Sequence, residues 1–520
     1  MLHLSYRSAL VLCSALTLAP CRSAAQNPKL VHTYDGSVAN GQFGVAVTVV
    51  GDMDGDGRAD FAIGASADAT GGPGAGRVFI YRGGTPLSGA PAWTLTGAPG
   101  DLLGASLAAA GDVNGDGFVD LLAGAPGSAS VVPGTPGRAL LVFGSTILGS
   151  RLPLSISGTA SLGRFGASVA GLYRFDGDGF DDFAVGAPDA HGGAGEVRVF
   201  RGASSPSTTP ALVLHGRAAG DNFGTALAGV GRTRGGAYAD LLAGAPYNSE
   251  AGVWKGKAYL HLGGAAPDTL ADRTWVGGGA GDLLGYSVAG AGDVNRDGRD
   301  DWLVGAPEVN TGTTLDTGRA YLYLGAPTPP TTPALTLAGT GSQEELGFAL
   351  AALGDVNGDA RSDFAVGSPG GASTAGVVHL YLGKTTLTTL ADTTYVGETS
   401  GDLLGEAISS GGRVSGGARD LFLLGSYGHA SIGRAYLYGT ATAASSSGAP
   451  SGAPHLILFR NPSVRFHFAV DMTHHAFMSL DLVDVAGHRI TALARGDYSF
   501  GRHEFTWNPA DETNRVAAGV

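Results

Sequence analysis

The chain has 520 residues, a formal net charge of −13 and 88 glycines, and only 15% of its residues are charged. Glycine makes up about 7% of an average protein, so it is in large excess here. No Gly-X-Y period runs through the sequence, which excludes collagen, and a hydrophobic content of 43% argues against disorder. The negative charge disfavours nucleic acid and anionic membranes as partners, because both attract clustered lysine and arginine.

Residues 1–25 have the layout of a secretory signal peptide. Arg7 precedes an apolar run over residues 9–18, and small residues lead to an expected cleavage after Ala25. The run is too short to cross a bilayer, and no transmembrane segment is expected elsewhere. The protein is therefore predicted to be secreted or to lie at the outer cell surface.

Both cysteines lie inside this signal segment, at Cys13 and Cys21. The exported chain would then contain no disulfide. Lipid anchoring at Cys21 is the less favoured alternative, because Pro20 stands where lipoprotein signals carry a small residue.

A unit of about 60 residues recurs seven times between residues 30 and 440. Each unit opens with Phe or Leu followed by Gly, reaches an Asp before an apolar run, and ends that run in a turn resembling Gly-Ala-Pro. Two further strand-like segments follow, and four short strands per unit predict an all-β, seven-bladed β-propeller of four-stranded antiparallel blades. The Asp residues assigned to this position are Asp60, Asp120, Asp182, Asp240, Asp301, Asp363 and Asp420.

The two ends of the repeat array predict how the ring closes. The seventh unit has only three strands and ends at Tyr438, while an unassigned strand, Leu30–Tyr34, precedes the first unit. This strand is predicted to be the fourth strand of the seventh blade, which would remove unpaired sheet edges. A linear solenoid is the alternative, and it would leave the strand unpaired.

An Asp-rich loop, here called an acidic loop, lies between the first two strands of five units. Its oxygen-bearing side chains recur at positions 1, 3, 5 and 9, and the residue at position 7 would add its backbone carbonyl. Calcium takes about six to eight oxygen ligands, so this donor set suits it. The alternative is an Asx-type turn without metal. Four loops are complete and predict four calcium sites, with these ligands: Asp52, Asp54, Asp56, Arg58 and Asp60; Asp112, Asn114, Asp116, Phe118 and Asp120; Asp293, Asn295, Asp297, Arg299 and Asp301; Asp355, Asn357, Asp359, Arg361 and Asp363.

The third loop would be a fifth calcium site, with Asp176, Asp178, Phe180 and Asp182 as ligands. Its first position is Arg174, so it would either bind calcium weakly or use the guanidinium in place of the ion. The fourth and seventh loops lack this series of acidic side chains and are expected to be metal-free.

The Phe43-Gly44 pair and the Gly124-Ala125-Pro126 turn, with their counterparts in the other units, resemble the FG-GAP repeats of the integrin α-subunit β-propeller and its bacterial relatives. The resemblance spans roughly residues 30–440. It implies an extracellular, seven-bladed propeller whose acidic loops bind calcium. It also implies that ligands bind at the end of the ring opposite those loops.

The last part of the chain changes character. Residues 441–454 are a flexible linker rich in Ala, Ser, Gly and Pro. Residues 455–520 resemble the small Ig-like module at the C-termini of many exported bacterial proteins, related to FlgD-like and type IX secretion sorting domains. The family continues into a further strand, so the module is expected to be partial. Arg495-Gly496-Asp497 is interpreted as a hairpin turn and not as an integrin ligand. The strand-like runs are Leu456–Phe459, Val464–Val470, Met478–Val485 and Glu504–Trp507.

Alternating strand direction places the acidic loops at one end of the ring. The loops between strands 2 and 3, and those leading from strand 4 to the next blade, then share the other end, here called the free end. Tyr247 and Trp254 lie in one long loop of the free end and are candidate contacts for a protein or glycan partner. The alternative is that Trp254 packs over its own loop.

The sequence predicts a non-enzymatic, calcium-binding adhesion module. It contains no Gly-x-Ser-x-Gly, His-Glu-x-x-His or Walker motif, and its acidic residues are concentrated in the loops. A propeller-based hydrolase or lyase and a purely structural surface scaffold are the alternatives.

Overall fold

The computed structural model describes residues 28–127, 137–158, 163–414 and 420–439, together with the backbone of six strands between residues 455 and 519. The predicted signal peptide, the linker at 441–454 and residues 128–136 of one free-end loop lie outside the described residues. The propeller and the C-terminal strands fall into separate units, and each is described by itself.

Seven four-stranded antiparallel sheets form the blades, which confirms the predicted fold class. Short strands separated by glycine-rich turns produce this arrangement, because each sheet covers its apolar faces with the neighbouring sheets. In order of strands 1 to 4, the blades are Phe43–Gly51, Asp60–Ala65, Arg77–Tyr81 and Trp93–Thr96; Ser106–Gly111, Asp120–Ala125, Arg138–Val142 and Leu154–Ser157; Ser168–Tyr173, Asp182–Ala187, Glu196–Phe200 and Leu212–His215; Leu227–Gly229, Leu241–Ala245, Lys257–His261 and Arg273–Val276; Val288–Gly292, Asp301–Ala306, Arg319–Tyr323 and Leu335–Ala338; Leu350–Gly354, Asp363–Ser368, Val377–Tyr381 and Thr393–Val396; Ala407–Ile408, Phe422–Ser426, Arg434–Gly439 and Lys29–Asp35.

The ring closes through the first strand that the structure describes. Lys29–Asp35 pairs antiparallel with Arg434–Gly439, and the register places Leu30 opposite Tyr438 and Asp35 opposite Arg434. The seventh blade thus takes its fourth strand from the opposite end of the propeller sequence.

The core consists of apolar clusters between adjacent blades. Successive strand residues point to opposite faces of a sheet. Phe61 and Ile63 accordingly pack toward the seventh blade, whereas Ala62 packs with Leu121 of the second blade. Each blade therefore contributes to two cores, which couples neighbouring repeats.

The two glycines of the repeat signature let adjacent blades interlock. Gly104, at φ +88°, donates its N–H to the Gly124 carbonyl at 2.9 Å. Its own carbonyl oxygen would lie 2.1 Å from a Cβ added at Gly64, which is far inside van der Waals contact. A side chain at Gly64 would therefore push the first two blades apart.

The repeat assignment is wrong in the seventh blade. Phe422 pairs with Tyr438, as Phe61 pairs with Tyr81 in the first blade, so Leu421 and not Asp420 occupies the position of Asp60. Leu421 is buried in the core, and Asp420 instead accepts the backbone N–H of Asp355 from the sixth blade at 2.9 Å. Residues 415–419 of this loop lie outside the described residues.

Within the described residues, the helical segments are short and lie between strands 2 and 3 of three blades. They are the α-helices Ala190–Gly193 and Gly371–Thr374 and the 3-10 helix His429–Ser431.

The C-terminal strands form a four-stranded sheet and a two-stranded sheet. The four-stranded sheet has the order His455–Phe459, Phe466–Met472, Gly501–Trp507 and Ala518–Gly519, and the second sheet pairs Ala476–Val483 with Arg489–Tyr498. Arg495-Gly496-Asp497 lies inside the strand Arg489–Tyr498 and pairs with residues 477–479. The hairpin-turn interpretation of this tripeptide is therefore wrong, and the Ig-like assignment stays a prediction.

Candidate metal loops and the free end

The first acidic loop gathers three carboxylates. Oxygens of Asp52, Asp54 and Asp60 lie within 4.8 Å of one another. The chain wraps around Asp52, which accepts the N–H of Gly55 at 2.7 Å and of Gly57 at 2.8 Å. Both glycines have positive φ, +79° and +84°, so the tight wrap needs residues that tolerate the left-handed region.

The other complete loops repeat this wrapping. Asp112 accepts the N–H groups of Gly115 and Gly117 at 2.7 and 2.9 Å, and Asp355 accepts those of Gly358 and Ala360 at 2.6 and 2.9 Å. Asp293 accepts the N–H of Asp297 at 2.9 Å and that of Gly298 at 2.8 Å.

The predicted residues at positions 3, 5 and 7 also meet in each loop. The Asp at position 5 accepts the N–H of position 7, and the Asn or Asp at position 3 accepts the N–H of position 5. The position 5 to 7 pairs are Asp56 with Arg58, Asp116 with Phe118, Asp178 with Phe180, Asp297 with Arg299, and Asp359 with Arg361. The position 3 residues are Asp54, Asn114, Asp176, Asn295 and Asn357.

The Asp at position 9 connects the acidic loop to the loop that follows strand 3 by hydrogen bonds to both. Asp60 is fully buried and accepts the N–H of Met53 at 3.0 Å and of Gly83, which follows strand 3, at 2.8 Å. Desolvation by burial raises the pKa of Asp60 to about 7. The same burial raises the pKa to about 7 at the corresponding residues, Asp120, Asp182, Asp301 and Asp363.

The donor chemistry of the first loop fits a hard divalent cation. Calcium–oxygen bonds of about 2.3–2.6 Å place ligands on opposite sides of one ion about 5 Å apart, so oxygens within 4.8 Å can share an ion. The negative charges of Asp54 and Asp56 are in part neutralised, because Arg82 lies 2.7 Å from Asp54 and Arg58 lies 3.2 Å from Asp56. These acidic groups could therefore hold a divalent cation.

The third loop brings its three carboxylates equally close. Oxygens of Asp176, Asp178 and Asp182 lie within 4.8 Å of one another. Arg174 is exposed, and the guanidinium paired with Asp176 is that of Arg201, at 2.7 Å.

The fourth loop has an internal cation. Asp240 is fully buried and accepts hydrogen bonds from the Thr233 hydroxyl at 2.5 Å, the Arg234 guanidinium at 3.1 Å and the Gly263 N–H at 2.9 Å. Burial raises the pKa of Asp240, while the hydroxyl and the guanidinium lower it. Sequence reasoning missed this role of Arg234, although a basic residue at position 3, where the other loops carry Asp or Asn, was a usable signal.

At the free end, the fourth blade exposes an aromatic pair. Tyr247 and Trp254 meet edge to face with ring centroids 6.1 Å apart, and Trp254 remains 53% exposed at φ +47°. Trp254 thus contacts its own loop and still presents about half of its surface to solvent.

The comparisons with known proteins agree with this fold. A family model for the FG-GAP-like repeat matches residues 52–123, and one for the FG-GAP repeat matches residues 165–200 and 346–381. The chain is 45% identical over 108 residues to integrin alpha-IIb of Mus musculus, covering 19% of this chain and 10% of that protein. It is 39% identical over 106 residues to integrin alpha-5 of Xenopus laevis, covering 19% and 10%, and 32% identical over 209 residues to integrin alpha-V of Gallus gallus, covering 38% and 19%.

The matches and the seven-bladed ring together define an integrin-α-like FG-GAP β-propeller. The chain spans no more than about a fifth of the length of these relatives. Within the described residues, no helix is both long and apolar enough to cross a membrane.

Proposed function

We propose that this protein is a calcium-stabilised, non-enzymatic binding or adhesion module that acts outside the cell or at its outer surface. Its partner would be an extracellular protein or glycan, taken up at the free end. The acidic loops would hold structural calcium ions, because the carboxylates of the first and third loops converge and the other complete loops repeat the wrapping of the first. The integrin α relatives support a binding role for the ring.

The observation that carries this proposal is the exposed Tyr247–Trp254 pair. Large aromatic side chains that stay exposed on a rigid scaffold are frequent energetic centres of interfaces. Val253, beside Trp254, is 64% exposed and extends the apolar surface. The opposite end has its carboxylates engaged with backbone N–H groups and arginines, which leaves the free end as the better binding surface.

The test is a binding screen of the full chain in calcium buffer against a glycan array and a panel of immobilised extracellular proteins. For any ligand found, Trp254→Ala should weaken binding at least tenfold, about 1.4 kcal/mol, with an unchanged melting temperature. The matched control is Leu270→Ala. Leu270 is 71% exposed on the same blade, but it lies in the loop between strands 3 and 4, at the acidic-loop end.

Equal effects of the two substitutions would remove the free end from consideration. Turnover of glycosidic or peptide substrates, without stable binding, would favour the hydrolase alternative.

A further inference from the structure

A cluster of two histidines and one glutamate lies at the free end of the third blade. The ligand atoms of His191, Glu196 and His215 all lie within 4.8 Å of one another. Glu196 Oε2 is 2.7 Å from His191 Nε2 and 3.6 Å from His215 Nδ1, and the two imidazole rings are 5.2 Å apart. Both imidazoles therefore converge on one carboxylate oxygen.

Three separate elements hold these side chains. Glu196 begins strand 3 of the blade and faces His215, the last residue of strand 4, across the ladder. His191 comes from the short helical segment Ala190–Gly193 between strands 2 and 3, at non-helical angles of φ +55° and ψ +41°. The Glu196 side chain is only 6% exposed, whereas each histidine side chain is 57% exposed. The cluster thus has a buried carboxylate base and a solvent-facing rim.

The other blades show that the propeller fold does not require this cluster. The residue that begins strand 3 is basic in five of them and Val377 in the sixth, so Glu196 reverses the sign of the charge. The basic residues are Arg77, Arg138, Lys257, Arg319 and Arg434. Four of these cations pair with carboxylates, namely Arg77 with Asp68, Arg138 with Asp101, Lys257 with Glu250, and Arg434 with Asp35.

The residues opposite the start of strand 3 differ as well. Across the ladder from these positions the other blades carry Thr96, Ser157, Val276, Ala338, Val396 and Asp35, whereas the third blade carries His215. The third blade therefore has an anion at the start of strand 3, and two imidazole nitrogens approach it in addition to the Arg198 guanidinium.

The contacts of the Glu196 carboxylate orient Oε2 toward the two imidazoles. Arg198 donates its Nε–H to the other oxygen, Oε1, at 2.5 Å, which fixes the carboxylate orientation. Among the described residues, the two imidazoles lie close to Oε2. Imidazole nitrogen and carboxylate oxygen are preferred zinc ligands, with bonds of about 2.0–2.2 Å that place tetrahedral ligand atoms about 3.3 Å apart. The observed separations of 2.7 and 3.6 Å lie on either side of that value.

We propose that His191, Glu196 and His215 form a binding site for a zinc-class divalent transition-metal ion. Its fourth position would be open toward solvent, because both histidines are half exposed. Water, or a carboxylate or imidazole from a partner, would fill that position. The site is chemically distinct from the acidic loops, since calcium prefers oxygen ligands and zinc takes nitrogen. It goes beyond the proposed calcium-stabilised binding function.

The experiment titrates Zn²⁺ into the chelator-stripped full chain held in excess calcium, and follows binding by calorimetry and by competition with a chromophoric chelator. The wild-type chain should bind one more zinc ion than His215→Thr or Glu196→Arg. These variants carry residues found at the same positions of the first two blades, Thr96 and Arg138, so the fold should accept them. Each should weaken this site on the order of 100-fold or more, since even outer partners of zinc ligands cost 10–100-fold.

The matched control is His379→Thr. His379 lies on strand 3 of the sixth blade, 3.8 Å from Glu344. The two residues form a simple histidine–carboxylate pair, whereas the proposed site joins two histidines to one carboxylate. Its substitution should leave zinc binding unchanged. Visible absorption of Co²⁺ bound in place of zinc should show tetrahedral coordination in the wild-type chain and lose it in His215→Thr. Equal zinc stoichiometry and affinity in the wild-type chain and both cluster variants would overturn the proposal and leave only a His–Glu ion pair.

Discussion

The first and fourth blades hold the same turn in two different ways. Both have a fully buried Asp at position 9, Asp60 and Asp240, which accepts the N–H of a glycine beyond strand 3. In the first blade this Asp is surrounded by further carboxylates, Asp52 and Asp54. In the fourth blade the Arg234 guanidinium and the Thr233 hydroxyl reach it instead.

The difference teaches that a cation from within the chain can pair with the anchoring Asp, as Arg234 does with Asp240. A buried carboxylate is costly unless it is paired. Arg234 supplies the charge within the chain, whereas the acidic loops would take it from a calcium ion. The seventh blade avoids the cost altogether, because Leu421 replaces the carboxylate.

Removal of divalent cations should have the largest effect. A ligand at a hundredfold excess over its Kd stabilises the native state by about 2.7 kcal/mol per site, and four or five loops would lose it together. Chelation should lower the melting temperature and accelerate amide exchange in residues 52–60, but not in residues 232–240. A melting curve and exchange rates that respond to neither chelator nor calcium would contradict the calcium proposal.

Asp120→Ala should be more damaging than Asp116→Ala. Asp120 accepts two buried N–H groups, from Val113 at 3.1 Å and Gly144 at 2.9 Å, and each unsatisfied donor costs about 1–3 kcal/mol. Asp120→Ala should therefore lower the free energy of unfolding by about 2–6 kcal/mol, even in chelator. Asp116 is a candidate ligand at the surface with exposed partners, Phe118 N–H and Arg151, so its substitution should cost little in chelator and more when calcium is present. Denaturant titrations of both variants with and without chelator separate the anchor from the ligand; equal losses in chelator would refute this division.

Arg234→Met should destabilise the fourth blade whether or not calcium is present. It leaves the Asp240 carboxylate buried without its cation, and breaking a buried pair costs about 3–5 kcal/mol. Because the Arg234 side chain is 32% exposed, solvent screening reduces the expected loss to about 1–3 kcal/mol. Arg232→Met, at an exposed side chain of the same loop, is the control and should be neutral. Stability that calcium restores in Arg234→Met would mean that this loop also binds the ion.

Sequence reasoning reached the blade count and the acidic loops because both depend on local patterns. The alternation of apolar residues in a strand and the spacing of Asp residues in a loop can each be recognised within a short stretch of sequence. It failed in the seventh blade because Asp420 stands one residue before the buried position and resembles the anchoring Asp, whereas the pairing of Phe422 with Tyr438 assigns that position to Leu421.

Contacts made across the ladder or between blades were beyond the reach of local patterns. His215 is distant from Glu196 in sequence and meets it only through the strand register, so the cluster with His191 is not apparent from local patterns. Asp420 likewise bonds to Asp355 of the preceding blade, which no periodicity within one repeat indicates.

Arg174→Asp should produce the smallest effect and tests the acidic-loop rule most directly. The third loop already gathers Asp176, Asp178 and Asp182. Its Gly177 and Gly179 have φ of +78° and +106°, so its backbone turns in the same sense as the first loop, where the position 1 carboxylate accepts the corresponding glycine N–H groups. An Asp at position 174 would supply that missing carboxylate.

We expect Arg174→Asp to tighten calcium binding by the third loop at least tenfold, about 1.4 kcal/mol, measured by calorimetry as an additional high-affinity ion. Arg174→Gln is the control, because it removes the same positive charge without adding a ligand. If the two variants bind calcium equally well, the repulsion by Arg174 and not the missing ligand limits the third loop, and position 1 would not be a ligand position. If Arg174→Asp alone gains the ion, the loop needs oxygen ligands at all four positions, 1, 3, 5 and 9. The first blade has this complete set, whereas the fourth blade uses the Arg234 guanidinium instead.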